Sequence, residues 1–442
     1  MAASVFDSPL YASLFPTGDT GRLFSDSAAL RAMLLVEGAL AKAQGQLGII
    51  PEISAAAIQR ASLEIQIDPG ALARSTGANG VCVPGLVDAF RSEMNAPEHA
   101  QYMHWGATSQ DIIDSGLMLR LRQALALAEA DLRTIATRLA DEAERGAEIP
   151  MIARTYGQSA APTSWGAVLA QWGNPLLDAR AALPALRRDS LWVALGGAAG
   201  TGSALGGDPA VLRQALAEGL GLHDPGRAWH TDRGPVLRIT DWMAQVAATL
   251  GGMGGTLVAL ASSGVQEVSF GATGASSTMP QKQNPVAASS LVALGHQAAS
   301  LRGGLSTAAQ HQHQRDGAAW FTEWMLVPQM ALTLASGLHI AKTLTETLRP
   351  RPGRMAAALQ ADMGLVHAEA LSFALAAHMP RPQAQALTKE LCAKAAAQGT
   401  PLASVARAAV TATLPDDLFE ASAQLGEAPR IARDFAARVR AL

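Results

Sequence analysis

Between Glu267 and Arg302 the only Lys, Arg, Asp or Glu is Lys282. It sits in the loop Gly271–Pro285, reading Gly-Ala-Thr-Gly-Ala-Ser-Ser-Thr-Met-Pro-Gln-Lys-Gln-Asn-Pro, which adds the hydroxyls of Ser276 and Ser277 and the amide of Asn284. A lone ammonium among Gly and Ala is costly to desolvate unless an anion meets it. The loop therefore reads as half of an anion site, with a substrate carboxylate as the other half. The alternative, a linker with Lys282 in water, leaves the absence of neighbouring charge without a purpose.

Three more polar segments interrupt apolar stretches. His104–Ser115 (His-Trp-Gly-Ala-Thr-Ser-Gln-Asp-Ile-Ile-Asp-Ser) places Thr108 and Ser109 just before a helical pattern. Such hydroxyls either cap the helix or bind an anion together with its free N–H groups. Arg154–Thr163 reads as a polar turn before another helix, with Tyr156 and Gln158 in the turn and Thr163 as a cap. Gln310–Trp324 contains Arg315, a guanidinium fork for a carboxylate or an ion-pair partner of Asp316 or Glu323. His311 and His313, two apart, would point different ways on a helix, so no metal site is expected. The run Gly196–Gly202 lacks a Gly-Lys-Ser/Thr ending and a βαβ setting. It reads as a tight turn beside a pocket.

These segments need long elements to hold them. Leu117, Leu121, Leu125, Ala128, Leu132, Ile135 and Leu139 recur at steps of three and four, predicting one amphipathic helix over about 115–145, roughly 45 Å long. Asp26 or Ser25 caps an earlier helix that ends near Gly48, and shorter helices are expected near 53–62 and 84–94. Helix-compatible stretches return near 160–182, 209–221, 235–268, 285–309 and 323–347, and the sheet signal is negligible. Hydrophobic residues are 49% and aromatics 5% of the 442 residues, so the core is built from small and aliphatic side chains, as in packed helices.

Charged residues are 16% and the net charge is -3, which offers no basic field for nucleic acid or an anionic membrane surface. The low charge fraction points instead to large subunit interfaces. Cys82 and Cys392 lack CxxC spacing, arguing against a disulfide framework or zinc site and for a cytoplasmic setting. The N-terminus shows no signal-peptide pattern. The charge-free run Trp242–Gln266 is long enough for a membrane span, but Gly251, Gly252, Gly254 and Gly255, two glutamines and hydroxyls suit a buried, intersubunit helix better. The prolines in Leu348–Arg354 mark a boundary, giving an N-terminal segment 1–105, a central long-helix segment 106–347 and a C-terminal segment 348–442.

Together the segments resemble the fumarase/aspartase superfamily. Ser276-Ser277-Thr278-Met279-Pro280-Gln281-Lys282-Gln283-Asn284-Pro285 matches its Ser-Ser-x-Met-Pro-x-Lys-x-Asn-Pro signature. Within it, His104–Ser115, Leu195–Thr201 and Arg315–Trp324 look like the bacterial 3-carboxy-cis,cis-muconate cycloisomerases, with adenylosuccinate-type lyases as the competing branch. The resemblance implies an all-α, three-domain fold with a long central bundle that forms a tetrameric core. It also implies active sites shared between subunits, a small polycarboxylate substrate, and no cofactor or metal. It assigns proton transfer to Ser276 and charge stabilisation to Lys282 and Asn284, and it gives Thr108, Ser109, Gln158, Ser277 and Arg315 to the other carboxylates. His104 and Tyr156 are candidates for a general acid. Adenylosuccinate lyases commonly carry a His after Arg-Thr in the second region, where this chain has Tyr156. Ala275 and Gln283 also depart from the usual Gly and basic residue.

Overall fold

The computed structural model describes residues 4–271, 274–275, 278–279 and 281–441. Among the N-terminal helices, α1 (Asp26–Gln46) and α2 (Ser109–Arg145) are the long ones, with shorter helices such as Glu52–Glu64 and Val83–Met94 between them, and a hairpin of β1 (Pro150–Thr155) and β2 (Gln158–Ser164) follows. Next are α3 (Trp165–Ala181), α4 (Pro209–Leu220) and α5 (Gly234–Leu260). The short strands β3 (Val268–Ser269), β4 (Gly274–Ala275) and β5 (Gln283–Asn284) lead into α6 (Val286–Ala308) and α7 (Gly317–Thr347). Beyond β6 (Arg349–Pro350) lie smaller helices ending with α8 (Ala428–Arg440).

The fold is all-α, as the residue pattern implied, and its strands form three two-stranded antiparallel ribbons: β1–β2, β3–β6 and β4–β5. The segment read as a polar turn with a Thr163 cap is in fact the first of these hairpins. Thr163 is paired with Met151 in its ladder, and the following helix starts at Trp165. Helix α5 stops at Leu260 rather than continuing to 268.

Why α2 is so long is visible in its sequence. Leu117, Leu121, Leu125, Ala128, Leu132, Ile135 and Leu139 are all buried, as the periodicity required. The helix gains six residues at its start because Asp111 stabilises its first turn. Ser25 caps α1 by accepting the Ala28 N–H (3.3 Å), and Asp208 caps α4 by accepting the Ala210 N–H (2.8 Å).

The chain packs as two compact units. One comprises Met1–Asp131, Ala179–Ala248 and Ala293–His339, and the other Leu132–Asp178, Thr249–Val292 and Ile340–Leu442. Each of α2, α5, α6 and α7 contributes residues to both, so the units interleave in sequence. The linear segments follow chain breaks; the units follow packing.

Helices α5 and α7 are both long and apolar enough to cross a membrane, yet 50% and 61% of their most apolar windows are buried within the chain. A core helix of a globular fold meets the same test. The glycines of α5 serve close packing: a Cβ on Gly254 would lie 2.5 Å from the Ala288 carbonyl oxygen of α6. In the second unit, Gly173 of α3 likewise leaves room for the Phe435 ring of α8.

Candidate active site

In the first unit, Thr108 is the N-cap of α2. Its carbonyl accepts the Asp111 N–H (3.0 Å), and its own N–H donates to Asp111 Oδ2 (3.0 Å). Asp111, at the third helical position, supplies the reciprocal half of a capping box. The Thr108 hydroxyl is therefore not needed for the cap, and it accepts from Arg315 Nη2 (3.3 Å) instead. Ser109, the first helical residue, makes no side-chain hydrogen bond among the described residues.

Asp111 is fully buried. Its Oδ1 accepts from the Gly196 N–H (2.8 Å) and His230 Nε2 (2.7 Å), and its Oδ2 from the N–H groups of Gly197 (2.9 Å) and Thr108. Four donors on one carboxylate compensate its desolvation. The glycine-rich turn is thus an anion nest, but the anion it holds is the protein's own. Gly106 is fixed by the same packing: its φ is +72°, and a Cβ there would lie 2.7 Å from Leu205 Cα.

One turn further along α2, Asp114 enters a buried ionic triad. Arg233 donates from Nη1 and Nη2 to Asp114 (2.7 and 3.1 Å), and from Nε and Nη2 to Glu323 (2.9 and 2.6 Å). The side chains of Arg233, Asp114 and Glu323 are 1%, 0% and 2% exposed. Burial works against the Arg233 charge, but Asp114 and Glu323 outweigh it and hold the guanidinium firmly protonated. Burial raises the Glu323 carboxyl above its ordinary value, with Arg233 opposing. The Trp320 indole N–H also donates to Asp114 (3.2 Å), and the Arg233 guanidinium lies over the Trp229 ring, 4.9 Å from its centroid.

Gln110 ties this triad to Arg315. Its amide N–H group donates to Asp114 Oδ2 (3.2 Å) and the His230 carbonyl (2.8 Å), while its Oε1 accepts from Arg315 Nε (2.8 Å). Arg315 pairs with neither acid proposed from sequence. Glu323 belongs to Arg233, and Asp316 caps α7 by accepting the Ala318 N–H (2.9 Å). Arg315 Nη2 is also committed, to Thr108 and the Ala198 carbonyl (3.3 Å each), so Nη1 is the terminal nitrogen left for a ligand.

His104 has φ +64° and its Nδ1 lies 2.6 Å from Glu37 Oε1, with Glu37 1% exposed. Burial opposes a charged ring, but the Glu37 charge and hydrogen bond prevail and raise the His104 pKa. His311 lies in a loop before α7, not on a helix, and both its ring nitrogens are buried without a hydrogen-bond partner. Burial, reinforced by Arg233, lowers its pKa. No cluster of three metal-ligating side chains occurs among the described residues.

The second unit holds the remaining site residues. Tyr156 and Gly157 form the two-residue tip of the β1–β2 hairpin with φ of +52° and +75°, positive at both positions as a type I′ turn requires. Tyr156 is 105% exposed, and Gln158 beside it is exposed too. Below the tip, Arg154 makes a two-pronged bond to Glu267 (2.8 and 2.6 Å), a carboxylate with 0% of its side chain exposed. The Glu267 carbonyl accepts the Arg351 N–H (2.8 Å), and the adjacent β3–β6 pairing fixes where Arg351 lies.

That pairing has a consequence for Lys282. Lys282, Asn284 and Arg351 line one cavity of about 550 Å³ together with Gln266 and Ser262. Arg351 is thus a second cation at the loop, 69 residues away in sequence and invisible to local motif reading. Lys282 is exposed in the single chain, so the desolvation inferred from its sequence surroundings is not supplied within one chain. Ser276 and Ser277 lie outside the described residues.

A family model described as a lyase matches residues 18–299. The chain belongs to this lyase family, within the fumarase/aspartase superfamily. The chain is 37% identical to the 3-carboxy-cis,cis-muconate cycloisomerase of Pseudomonas aeruginosa over 95% of its own length and 94% of the relative. It is also 34% identical to the nitrosuccinate lyase of Streptomyces davaonensis, covering 97% and 94%. Its fold superposes on the crystal structure of the 3-carboxy-cis,cis-muconate lactonizing enzyme from Pseudomonas putida with a TM-score of 0.92, at 32% identity, covering 98% and 99%.

The first unit brings Thr108 and Arg315 together, with Ser109 next in the chain and His104 on the segment leading into α2. The second brings Lys282 and Asn284 into one cavity and places Tyr156 and Gln158 at a hairpin tip. Sequence reading missed Glu37, His230, Arg233 and Arg351. Asp111 and Asp114 were in plain sight in the 104–115 segment, where two acids on one turn of an apolar helix signal buried partners.

Proposed function

We propose that this lyase converts 3-carboxy-cis,cis-muconate to 4-carboxymuconolactone. The observation that carries the choice within the superfamily is Tyr156, at the position after Arg154-Thr155 where adenylosuccinate lyases commonly place a histidine. An amine leaving group needs a proton as it departs. A lactone opens to a carboxylate, which is stable as an anion. The end-to-end likeness to proteins of this name supports the same reading.

In the reaction, one carboxylate oxygen of the substrate adds to an alkene carbon and forms the lactone C–O bond. The alkene electron pair moves to the carbon beside another carboxylate, which becomes an aci-carboxylate dianion, and a proton then reaches that carbon. Ser276 is the proposed proton-transfer residue. Lys282 and Asn284, with Arg351, hold the developing charge, a type of contact worth about 10² to 10³ in rate. Thr108, Ser109, Gln158, Ser277 and the free Nη1 of Arg315 bind the remaining carboxylates, and His104 or Tyr156 serves as an acid. The cations Lys282, Arg351 and Arg315 match the substrate's three carboxylates in number.

The site is shared between subunits of a homotetramer. Tyr156 fully exposed at a hairpin tip and Lys282 unburied in its own chain are features that a neighbouring subunit would complete. The test is ultraviolet spectroscopy of purified protein with 3-carboxy-cis,cis-muconate. Loss of the conjugated-diene absorbance, with one lactone formed per substrate consumed, is the expected result. No spectral change, with fumarate released from adenylosuccinate or argininosuccinate or nitrite from nitrosuccinate, would overturn the assignment.

A further inference from the structure

A second cavity, of about 300 Å³, lies in the first unit and includes none of the proposed substrate residues. Met33, Cys82, Ile113, Leu117, Trp324 and Arg120 line it. Arg120 is the unusual member. Its Nε is buried without an acceptor, and the guanidinium makes no hydrogen bond or ion pair among the described residues. The guanidinium carbon lies 5.5 Å from the centroid of the Phe24 ring. Burial lowers the Arg120 pKa to about 10, and it raises that of the Cys82 thiol.

Trp324 presents the same deficit, because its indole N–H is buried and unpaired. Both orphaned groups are donors. Neither is met by the polar groups of the lining: the Thr76 hydroxyl donates to the Leu72 carbonyl (2.9 Å) and reaches neither group, and Glu323 is bound by Arg233. Asp26, the other acid at the cavity, is exposed; its charge favours the Arg120 cation from a distance, but the two form no ion pair. A half-buried cation without an ion-pair partner and a buried, unpaired indole N–H beside apolar walls ask for an occupant that brings acceptors at one end and carbon at the other.

We propose that this cavity is a binding site for a small aromatic or alicyclic monocarboxylate, its carboxylate on Arg120 and Trp324 and its ring against Met33, Ile113 and Leu117. The volume equals about ten waters' share of the liquid, room for one ring and its carboxylate. One cation selects one negative charge, which separates this ligand class from the polycarboxylates of the catalytic cavity.

Benzoate is the probe, titrated into the full-length protein by calorimetry and by thermal unfolding, beside an Arg120→Met variant, a Lys282→Met variant and benzyl alcohol as the uncharged analogue. Wild type should bind benzoate saturably and gain thermal stability with concentration. Arg120→Met should weaken benzoate by about tenfold or more, the worth of a charge-assisted hydrogen bond, and benzyl alcohol should bind wild type correspondingly weakly. Lys282→Met should bind benzoate as wild type does. Absence of saturable binding to wild type, unchanged binding by Arg120→Met, or loss of binding in Lys282→Met would each overturn the proposal.

Discussion

Replacing Arg233 by methionine isolates the energetics of the scaffold beneath Thr108 and Arg315. The substitution keeps an apolar stem of similar length but leaves Asp114 and Glu323 buried together without their shared cation. Two carboxylates cannot both stay ionised in that space, so one must take a proton. Glu323 is the one, because burial already raises its pKa in the intact protein. Holding a carboxyl with an ordinary pKa near 4 in its neutral form at pH 7 costs about three times 1.36, or about 4 kcal/mol. This agrees with the roughly 3–5 kcal/mol measured when buried pairs lose one partner.

The sign with pH follows. A carboxyl raised in the folded state binds its proton more tightly folded than unfolded, so the variant's deficit grows as pH rises above about 4 and shrinks as pH falls. Between pH 7 and pH 5 the deficit should shrink by about 2.7 kcal/mol. Urea unfolding at fixed protein concentration measures it: at an m-value of about 3 kcal/mol/M the midpoint should fall by roughly 1–1.7 M at pH 7. Adding Glu323→Gln should restore most of that loss and remove its pH dependence. A deficit under about 1 kcal/mol, one independent of pH, or no rescue by Glu323→Gln would refute the reasoning.

Three further outcomes are expected. Gly106→Ala should destabilise the protein by at least about 1–2 kcal/mol, the cost of left-handed backbone before the clash with Leu205 Cα is added; thermal unfolding checks this. His104→Gln should reveal a pH-linked contribution. The raised His104 pKa means that wild type's advantage is full below about 6.5 and fades as pH rises through the folded value, and paired melting curves at pH 6 and pH 9 measure it. Tyr156→Gly should relieve backbone strain of about 1–2 kcal/mol at the hairpin tip while lowering kcat/KM, since the tip is fully exposed in its own chain and the proposed shared site gives it a role in a neighbour's pocket. Equal activity of that variant would remove Tyr156 from the site.

The helices were legible because burial and periodicity coincide: every apolar position read along α2 is buried. The hairpin at 150–164 was not, because Arg-Thr-Tyr-Gly-Gln-Ser lacks the Asn-Gly or Asp-Gly that ordinarily announces a two-residue turn, and Tyr156 takes the left-handed conformation unassisted by its residue type. Lys282 and Arg315 stood out in the sequence as candidate anion-binding groups, and the glycine run stood out only as a tight turn. What these groups meet inside the protein was not legible. The glycine turn meets Asp111 from within the protein, and Arg315 spends Nε and Nη2 on Gln110 and Thr108, pairings across tens to hundreds of residues that no local spacing encodes. Arg351 escaped for the same reason, since only the β3–β6 register brings it to the Lys282 cavity.

The claim on which the functional reading turns is that Lys282 of one subunit and Arg315 of another serve one substrate. Lys282→Met and Arg315→Met should each be inactive alone toward 3-carboxy-cis,cis-muconate, and the most direct measurement is the activity of hybrids made by mixing the two under dissociating conditions and reassembling them. Recovered turnover is the expected result, because some sites in a hybrid then combine an intact Lys282 with an intact Arg315. Hybrids of confirmed mixed composition that stay as inactive as their parents would contradict it.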